Sequence, residues 1–446
     1  MRLSFLVGLA ACAALCSPPA LRAQGLRDDI SQLFIFGPGE DPLFLTGTAS
    51  NPSAAVALHG KHFVPSASTQ NGTMISFITS AIGGNVADFP FSAASGGTTF
   101  RFENGTPVPT SNSAGPVFAE RGQTLGSGRM LVGFSYNTFS YSSIRGVDLH
   151  NVNLVFTHEN VTGPACDSVL GKSCTPYGVP TLENDIMPFN LSLDIHVSLA
   201  SFTFTYGISD RLDIGIALPL VSTTLVGQSQ ANIIPFGGDS AFHYFAGTPT
   251  NPVLSASRFV QGQATGLGDL AVRAKLNVHS SDRTSVALLV DGRFPTGSEQ
   301  DLLGAGQFSG RALAVVSARF GAFSPHANIG YLRRVGSFRN DAVLATFGFD
   351  HLMAPSVTLA ADLISQLQVG NDKLQIPTSV TYNAPFTRTV RTSDIPNIRD
   401  DLINGSIGMK FTIPSGPTLI ANVLVPVNRG GLRPNVLYTL GIEYNF

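Results

Sequence analysis

In the stretch GDLAVRAKLNVH, residues 268–279, Leu270, Val272, Ala274, Leu276 and Val278 alternate with Asp269, Arg273, Lys275, Asn277 and His279. On a helix these charges would scatter around the axis. On a strand they share one side, because successive side chains point to opposite faces. The same period of two recurs near 128–140, 149–159, 191–206, 210–224, 284–295, 308–320, 325–333, 341–351, 356–368, 401–413, 417–427 and 435–446, and predicts strands with two different faces. Within 191–206 the phase slips, as Leu193, Ile195, Val197 and Leu199 give way to Phe202, Phe204 and Tyr206, which predicts a bulge near Ala200 and Ser201.

The connections set the topology. Short turns at 207–211, 280–283, 321–325, 353–355 and 413–417 alternate with long connections at 225–265, 296–306 and 370–399. Short turns on one side and long loops on the other are the pattern of outer-membrane barrels, with the short side periplasmic. If Phe446 ends in the periplasm, tracing back puts the link Ser142–Gly146 on that side too and requires one more strand before Gly128, for which Thr98–Glu103 is the candidate. Even strand numbers are usual. The expected fold is therefore all-β, a transmembrane antiparallel up-and-down barrel of about fourteen strands over residues 96–446, with twelve or sixteen as alternatives.

Residues 24–95 break the pattern, being rich in small residues and Pro; within them Met74, Phe77, Ile78, Ala81 and Ile82 would line one face of a short helix. This segment reads as a plug inside the barrel or, equally, as a periplasmic lid or loose leader. Before it, residues 1–23 have the charged start, apolar run and small residue at Ala23 of a secretory signal peptide, and Leu9–Cys12 offers a weaker lipoprotein alternative.

Composition agrees with a membrane barrel. Charged residues make up 13% of the chain, against about 25% in ordinary soluble domains. Beyond the signal no apolar run reaches the length of a spanning helix, which leaves a barrel as the means of crossing a bilayer. The net charge of -2 gives no support to nucleic acid as a partner. With no Trp, Phe and Tyr must supply any interfacial girdle. Cys166 and Cys174 remain after signal removal and suggest a disulfide in an oxidising compartment; a metal reading is weaker, since no His stands beside them at ligand spacing.

The stretches TYGISDRLDIGIALPLV, residues 205–221, and TGLGDLAVRAKLNV, residues 265–278, resemble the outer-membrane transporter-like β-barrel family associated with the meta-pathway of phenol degradation. The resemblance covers about Leu125 to Phe446. It implies a barrel that passes small, often aromatic, molecules through the bacterial outer membrane. The strand count and extra N-terminal segment are architecturally similar to the long-chain fatty-acid outer-membrane transporter family. At the other end of the chain, LYTLGIEYNF places Tyr438, Leu440, Ile442, Tyr444 and Phe446 on one face; Tyr444 and Phe446 resemble the terminal signal read by the barrel-assembly machinery.

On the face opposite the lipid side stand Asp194, His196, Asp213, Arg273, Lys275, Asp291, Arg293, Arg311, Arg319, Asp362, Lys410 and Glu443, all expected to line the lumen. Facing lipid near the bilayer centre, a Lys or Arg among them would cost about 2–4 kcal/mol. They make either a ladder of cross-strand ion pairs or a conduit whose basic stripe, Arg273, Lys275, Arg293, Arg311 and Arg319, attracts anionic solutes. Catalytic patterns are absent: there is no GxSxG, HExxH or phosphate loop, and His59 with His62 lacks carboxylate support for a metal. The expectation is passive uptake of small hydrophobic or aromatic molecules, with no cofactor. A closed structural or surface-loop barrel and, last, an outer-membrane enzyme are the alternatives.

Overall fold

Strand pairing settles the count at twelve. The computed structural model describes residues 25–36, 66–88, 100–103, 106–109, 113–157, 185–236, 244–248, 250–336, 339–373, 379–382, 386–414 and 416–446. Numbering the barrel strands alone, these are β1 Met130–Ile144, β2 Ile186–Ser209, β3 Leu212–Asn232, β4 Leu270–Ser280, β5 Thr284–Phe294 and β6 Ser309–Ala318. The ring continues with β7 Phe323–Arg334, β8 Ala342–Ala354, β9 Val357–Gln368, β10 Leu402–Thr412, β11 Thr418–Pro426 and β12 Leu432–Asn445. Each pairs antiparallel with its neighbours in sequence, and β12 closes on β1, with Tyr444 opposite Val132 and Leu440 opposite Tyr136.

The fourteen expected strands thus reduce to the alternative of twelve, for an identifiable reason. The described part of the candidate strand does not join the ring: among the described residues Phe100–Glu103 pairs only with Thr106–Pro109. The expected strand at 149–159 appears as Val152–Thr157 and lies outside the ring, paired with the upper end of β2 and bridged through Leu154 to Ser393. Counting that segment inverted the parity. The link Ser142–Gly146 lies at the long-loop end, where Arg145 N donates to Gly431 O, while β1 begins beside the C-terminus, where Phe446 N donates to Met130 O.

Nor does β2 contain the expected bulge near Ala200 and Ser201. Its ladders to β1 and β3 run without a shift through Tyr136↔Ala200 and Ala200↔Leu220. What changes there is the surroundings. From Phe202 to Tyr206 the apolar side chains face out, and Phe202, Phe204 and Tyr206 are exposed; from Met187 to Leu199 the odd-numbered apolar side chains face in and are buried. β3 switches at the same level, with Ile214, Ile216 and Leu218 outward, then Val221 and Leu225 inward. β1 does likewise between Tyr136 and Phe139.

Below this level the outward face is a belt that also includes Val272, Val290, Ile329, Phe347, Ile407, Leu419 and Leu440. Such a row suits hydrocarbon. Above it the outward face of β2 and β3 is polar, and two helices, α1 Leu26–Gln32 and α2 Ser66–Ala87, pack against the inward side chains. Leu26, Ile30, Leu33, Phe34, Phe77, Ile78, Ala81, Ile82 and Val86 join the inward side chains of β1, β2 and β3 in one apolar cluster. Phe34 stacks on Phe189 with ring centroids 4.8 Å apart. Each fully buried large apolar side chain in such a cluster contributes about 1.5–3 kcal/mol. Gly227 gives the helix room, since a Cβ there would meet Leu33 Cδ1 at 2.7 Å and make that side chain shift.

Candidate functional site

The segment Ser113–Leu125, read from sequence only as a loop, runs along the inner wall near the short-turn end. Its backbone is held by wall side chains in turn: Ala114 N donates to Thr358 Oγ1 at 3.0 Å, Glu120 N to Asn328 Oδ1 at 2.8 Å, and Gly122 N to Ser317 Oγ at 3.1 Å. Leu125 N then donates to Asp213 at 3.0 Å. A strap without regular secondary structure must find partners for its buried N–H groups elsewhere, and these inward polar residues supply them. Gly122 allows the close approach: a Cβ would meet Ser285 O at 2.5 Å.

The strap also brings charge. Arg121 pairs with Asp350, and its Nε reaches Asp350 Oδ1 at 3.3 Å. Beside them His326 bridges toward two carboxylates, Nε2 lying 2.6 Å from Asp362 Oδ1 and Nδ1 3.6 Å from Asp350 Oδ1. Glu120 faces Arg273 at 3.3 Å and Lys275 at 3.7 Å.

Arg273, Arg293 and Arg311 converge on Asp291 at 3.4, 3.3 and 3.3 Å. Lys410 meets Glu443 at 3.2 Å. Four residues of the expected basic stripe therefore point inward as members of ion pairs. The fifth does not: Arg319 lies in the short turn after β6, where Arg319 N donates to Arg283 O and Nη2 to Asp282 O.

Two further expectations are corrected on β2. Asp194 and His196 face outward and are exposed, because they lie above the level at which the apolar face turns inward. The His196 ring lies 2.9 Å from Ser140 Oγ and 3.1 Å from Thr138 Oγ1 on the outer wall. Asp213, Asp291, Asp362, Lys410 and Glu443 are inward and buried. Cys166 and Cys174 lie outside the described residues. Tyr444 and Phe446 are outward, their rings 4.6 Å apart.

At the other end, Asp88 just past α2 pairs with Arg334 and Arg339, each at 2.8 Å. Burial opposes ionisation of Asp88, yet these guanidinium groups outweigh it and hold the carboxyl well below its usual range. Asn85 Nδ2 donates to Leu432 O at 3.2 Å, anchoring the helix to β12. Asp269, from the GDL element, accepts Gly297 N and Ala305 N at 2.9 and 2.8 Å, folding the 296–306 connection over buried Leu302 and Leu303.

Between the end of α2 and the strap lies a cavity of about 130 Å³. Asn85 and Asp88 border it on one side and Phe118 and Glu120 on the other. Its walls combine Phe139, Leu313, Leu344 and Leu437 with Arg293, Arg311 and Arg433. Sequence reasoning missed Glu120, Arg121, His326, Asp350 and Arg433. The charged pair Glu120–Arg121 followed by Gly122 was the one visible hint of a buried strap.

Residues 183–375 match the family model described as Putative MetA-pathway of phenol degradation. This is the family that the stretches at 205–221 and 265–278 resemble. No curated protein matches the chain.

Among solved structures it is similar to the COG4313 outer membrane channel from Pseudomonas putida F1, at 11% identity over 73% of this chain and 98% of that one, TM-score 0.38. A Pseudomonas aeruginosa FadL homologue matches at 10% identity over 71% and 88%, TM-score 0.30. The TodX deltaS2S3 mutant monoaromatic hydrocarbon channel matches at 11% over 73% and 92%, TM-score 0.24. At these identities and scores nothing about a solute carries over. A closed ring with a lipid-facing belt, together with the family match, makes this an outer-membrane β-barrel of a bacterium.

Proposed function

We propose that the protein is a passive outer-membrane channel for small hydrophobic or aromatic molecules, and that residues 24–95 act as a plug in its long-loop half. The observation that carries this reading is the cavity on the barrel axis side of the wall, apolar over much of its lining and bordered by α2 and the strap. Its volume of about 130 Å³ is of the order of the roughly 150 Å³ apolar cavity known to take one benzene. The family description supports an aromatic solute. Passage would require α2, the strap or both to yield, and both are held by side-chain contacts, not by membership of the barrel sheet.

Liposomes carrying the purified mature chain, with and without residues 24–95, provide the test. Entry of 4-hydroxybenzoate faster than into protein-free liposomes is expected, with a further increase on deletion. No entry in either form, in barrels whose folding is verified by gel mobility, would overturn the channel reading. Unchanged entry on deletion would overturn the plug.

A further inference from the structure

The two carboxylates that line the cavity, Asp88 and Glu120, and Asp291 beside its arginines are each already outnumbered by cations. Asp88 is flanked by Arg334 and Arg339, Glu120 by Arg273 and Lys275, and Asp291 by Arg273, Arg293 and Arg311. Arg433 differs from all of these. It is 3% exposed and lines the cavity, yet no carboxylate among the described residues forms an ion pair with it.

Its Nη2 donates to Ile403 O and Asn404 Oδ1, both at 2.7 Å, which fixes the plane of the guanidinium with neutral acceptors only. Among the described residues its Nε has no acceptor, and neither does Nε of Arg311 across the same cavity. The register of β12 against β1 is irregular at Arg433/Pro434 and again at Pro434/Leu437. Irregularities of this kind re-aim a side chain next to a functional site. A buried cation without a counter-ion is costly unless an anion visits it.

We propose that the cavity is a binding site for a single-ring aromatic carboxylate, with the carboxylate held by Arg433 and the ring lying among Phe139, Leu344 and Leu437. Guanidinium and carboxylate match in planar geometry, and charge-assisted bonds of this type are about twice as strong as neutral ones. Leu313, Leu332 and Leu424 extend this apolar side of the cavity, which accepts the ring. This site rests on the channel reading only in giving the solute its class, since binding does not require passage.

The test is equilibrium binding of benzoate and of its neutral counterpart benzyl alcohol to the full mature chain in detergent, at neutral pH and about 0.1 M NaCl, where chloride competes for a non-selective anion site. Benzoate is expected to bind about tenfold or more tightly than benzyl alcohol. In Arg433→Gln the benzoate affinity should fall to that of the alcohol, with the alcohol unchanged. Equal binding of the two ligands by the unaltered protein would overturn the proposal, and this comparison needs no variant to fold. Benzoate binding that persists in a folded Arg433→Gln barrel would overturn it as well. Binding of benzoate without passage in liposomes would leave the site standing and remove the channel reading; passage without preference for benzoate would do the opposite.

Discussion

The two halves of β2 have the same backbone pairing and opposite side-chain logic. Between Phe202 and Tyr206 the apolar residues face out toward lipid; between Met187 and Leu199 they face in, toward α1, α2 and the neighbouring strands. A sheet that passes from bilayer to water must exchange its apolar face, because the medium outside changes while the ladder continues. The lower half behaves as a membrane barrel. The upper half behaves as one side of a soluble core.

The sharpest way to break this comparison uses adjacent residues. Ile195→Asp places a charge in the upper core at a fully buried position, and should cost more than about 4 kcal/mol or prevent folding. Its neighbour Asp194 already carries a charge outward, so Asp194→Asn should change stability by no more than about 0.5 kcal/mol. Urea unfolding followed by heat-modifiable gel mobility reads both. Equal effects would mean that the inward and outward assignments of the upper half are wrong.

The next contrast runs along β3. Ile216→Lys faces lipid and should cost about 2–4 kcal/mol, whereas Gln228→Lys, outward but above the belt, should stay within about 0.5 kcal/mol. A similar loss at both positions would place Gln228 inside the membrane.

A smaller effect should separate the helices from the wall they fill. The depressed Asp88 stabilises the docked end of α2 fully above its unfolded pKa of about 4. That contribution is lost as pH falls from there toward the lower folded value. Pepsin should therefore cut near α2 increasingly below pH of about 4, while the barrel keeps its gel mobility. Asp88→Asn at neutral pH should show the same local cleavage by a neutral protease. Resistance of the helix under both conditions would show that the ion pairs with Arg334 and Arg339 do not hold it.

Smallest for the folded barrel is deletion of Phe446. It removes one ring contact with Tyr444 and an edge backbone pair with Met130. Insertion by the assembly machinery is expected to slow, with solute passage per assembled barrel unchanged. A truncated chain that assembles at the normal rate would show that the terminal ring is not an assembly signal.

Much of the fold was legible because alternation is a local property. β4 through β11, and β12 from Leu437 on, could be read from period and turns alone, as in Leu270–Val278 or Tyr438–Phe446, since there each strand has lipid on one side and lumen on the other. The reading failed where that premise failed. Keeping the apolar residues on the lipid face above Ala200 puts Asp194 and His196 in the lumen and needs a bulge to absorb the phase slip, whereas the ladder runs on unshifted and the apolar face turns inward. The site was less legible still. Asp291 with its arginines lies on consecutive strands and was visible as a charged face, but Glu120, Arg121 and Arg433 enter through a strap and an irregular strand segment, which carry no period.

By itself the sequence determined an antiparallel barrel with a lipid belt, the ends at which short and long connections gather, and the inward position of Asp213, Arg273, Lys275, Asp291, Arg293, Arg311, Asp362, Lys410 and Glu443. Those features follow from a period of two and from the cost of charge in hydrocarbon. Tertiary structure alone decided that twelve strands close the ring, that the upper wall is turned inside out, and that Arg433 shares a cavity with Phe118 and Asn85. Closure and cavity depend on contacts between residues far apart in the chain, and alternation within a strand holds no information about which distant segment will lie on its inner face.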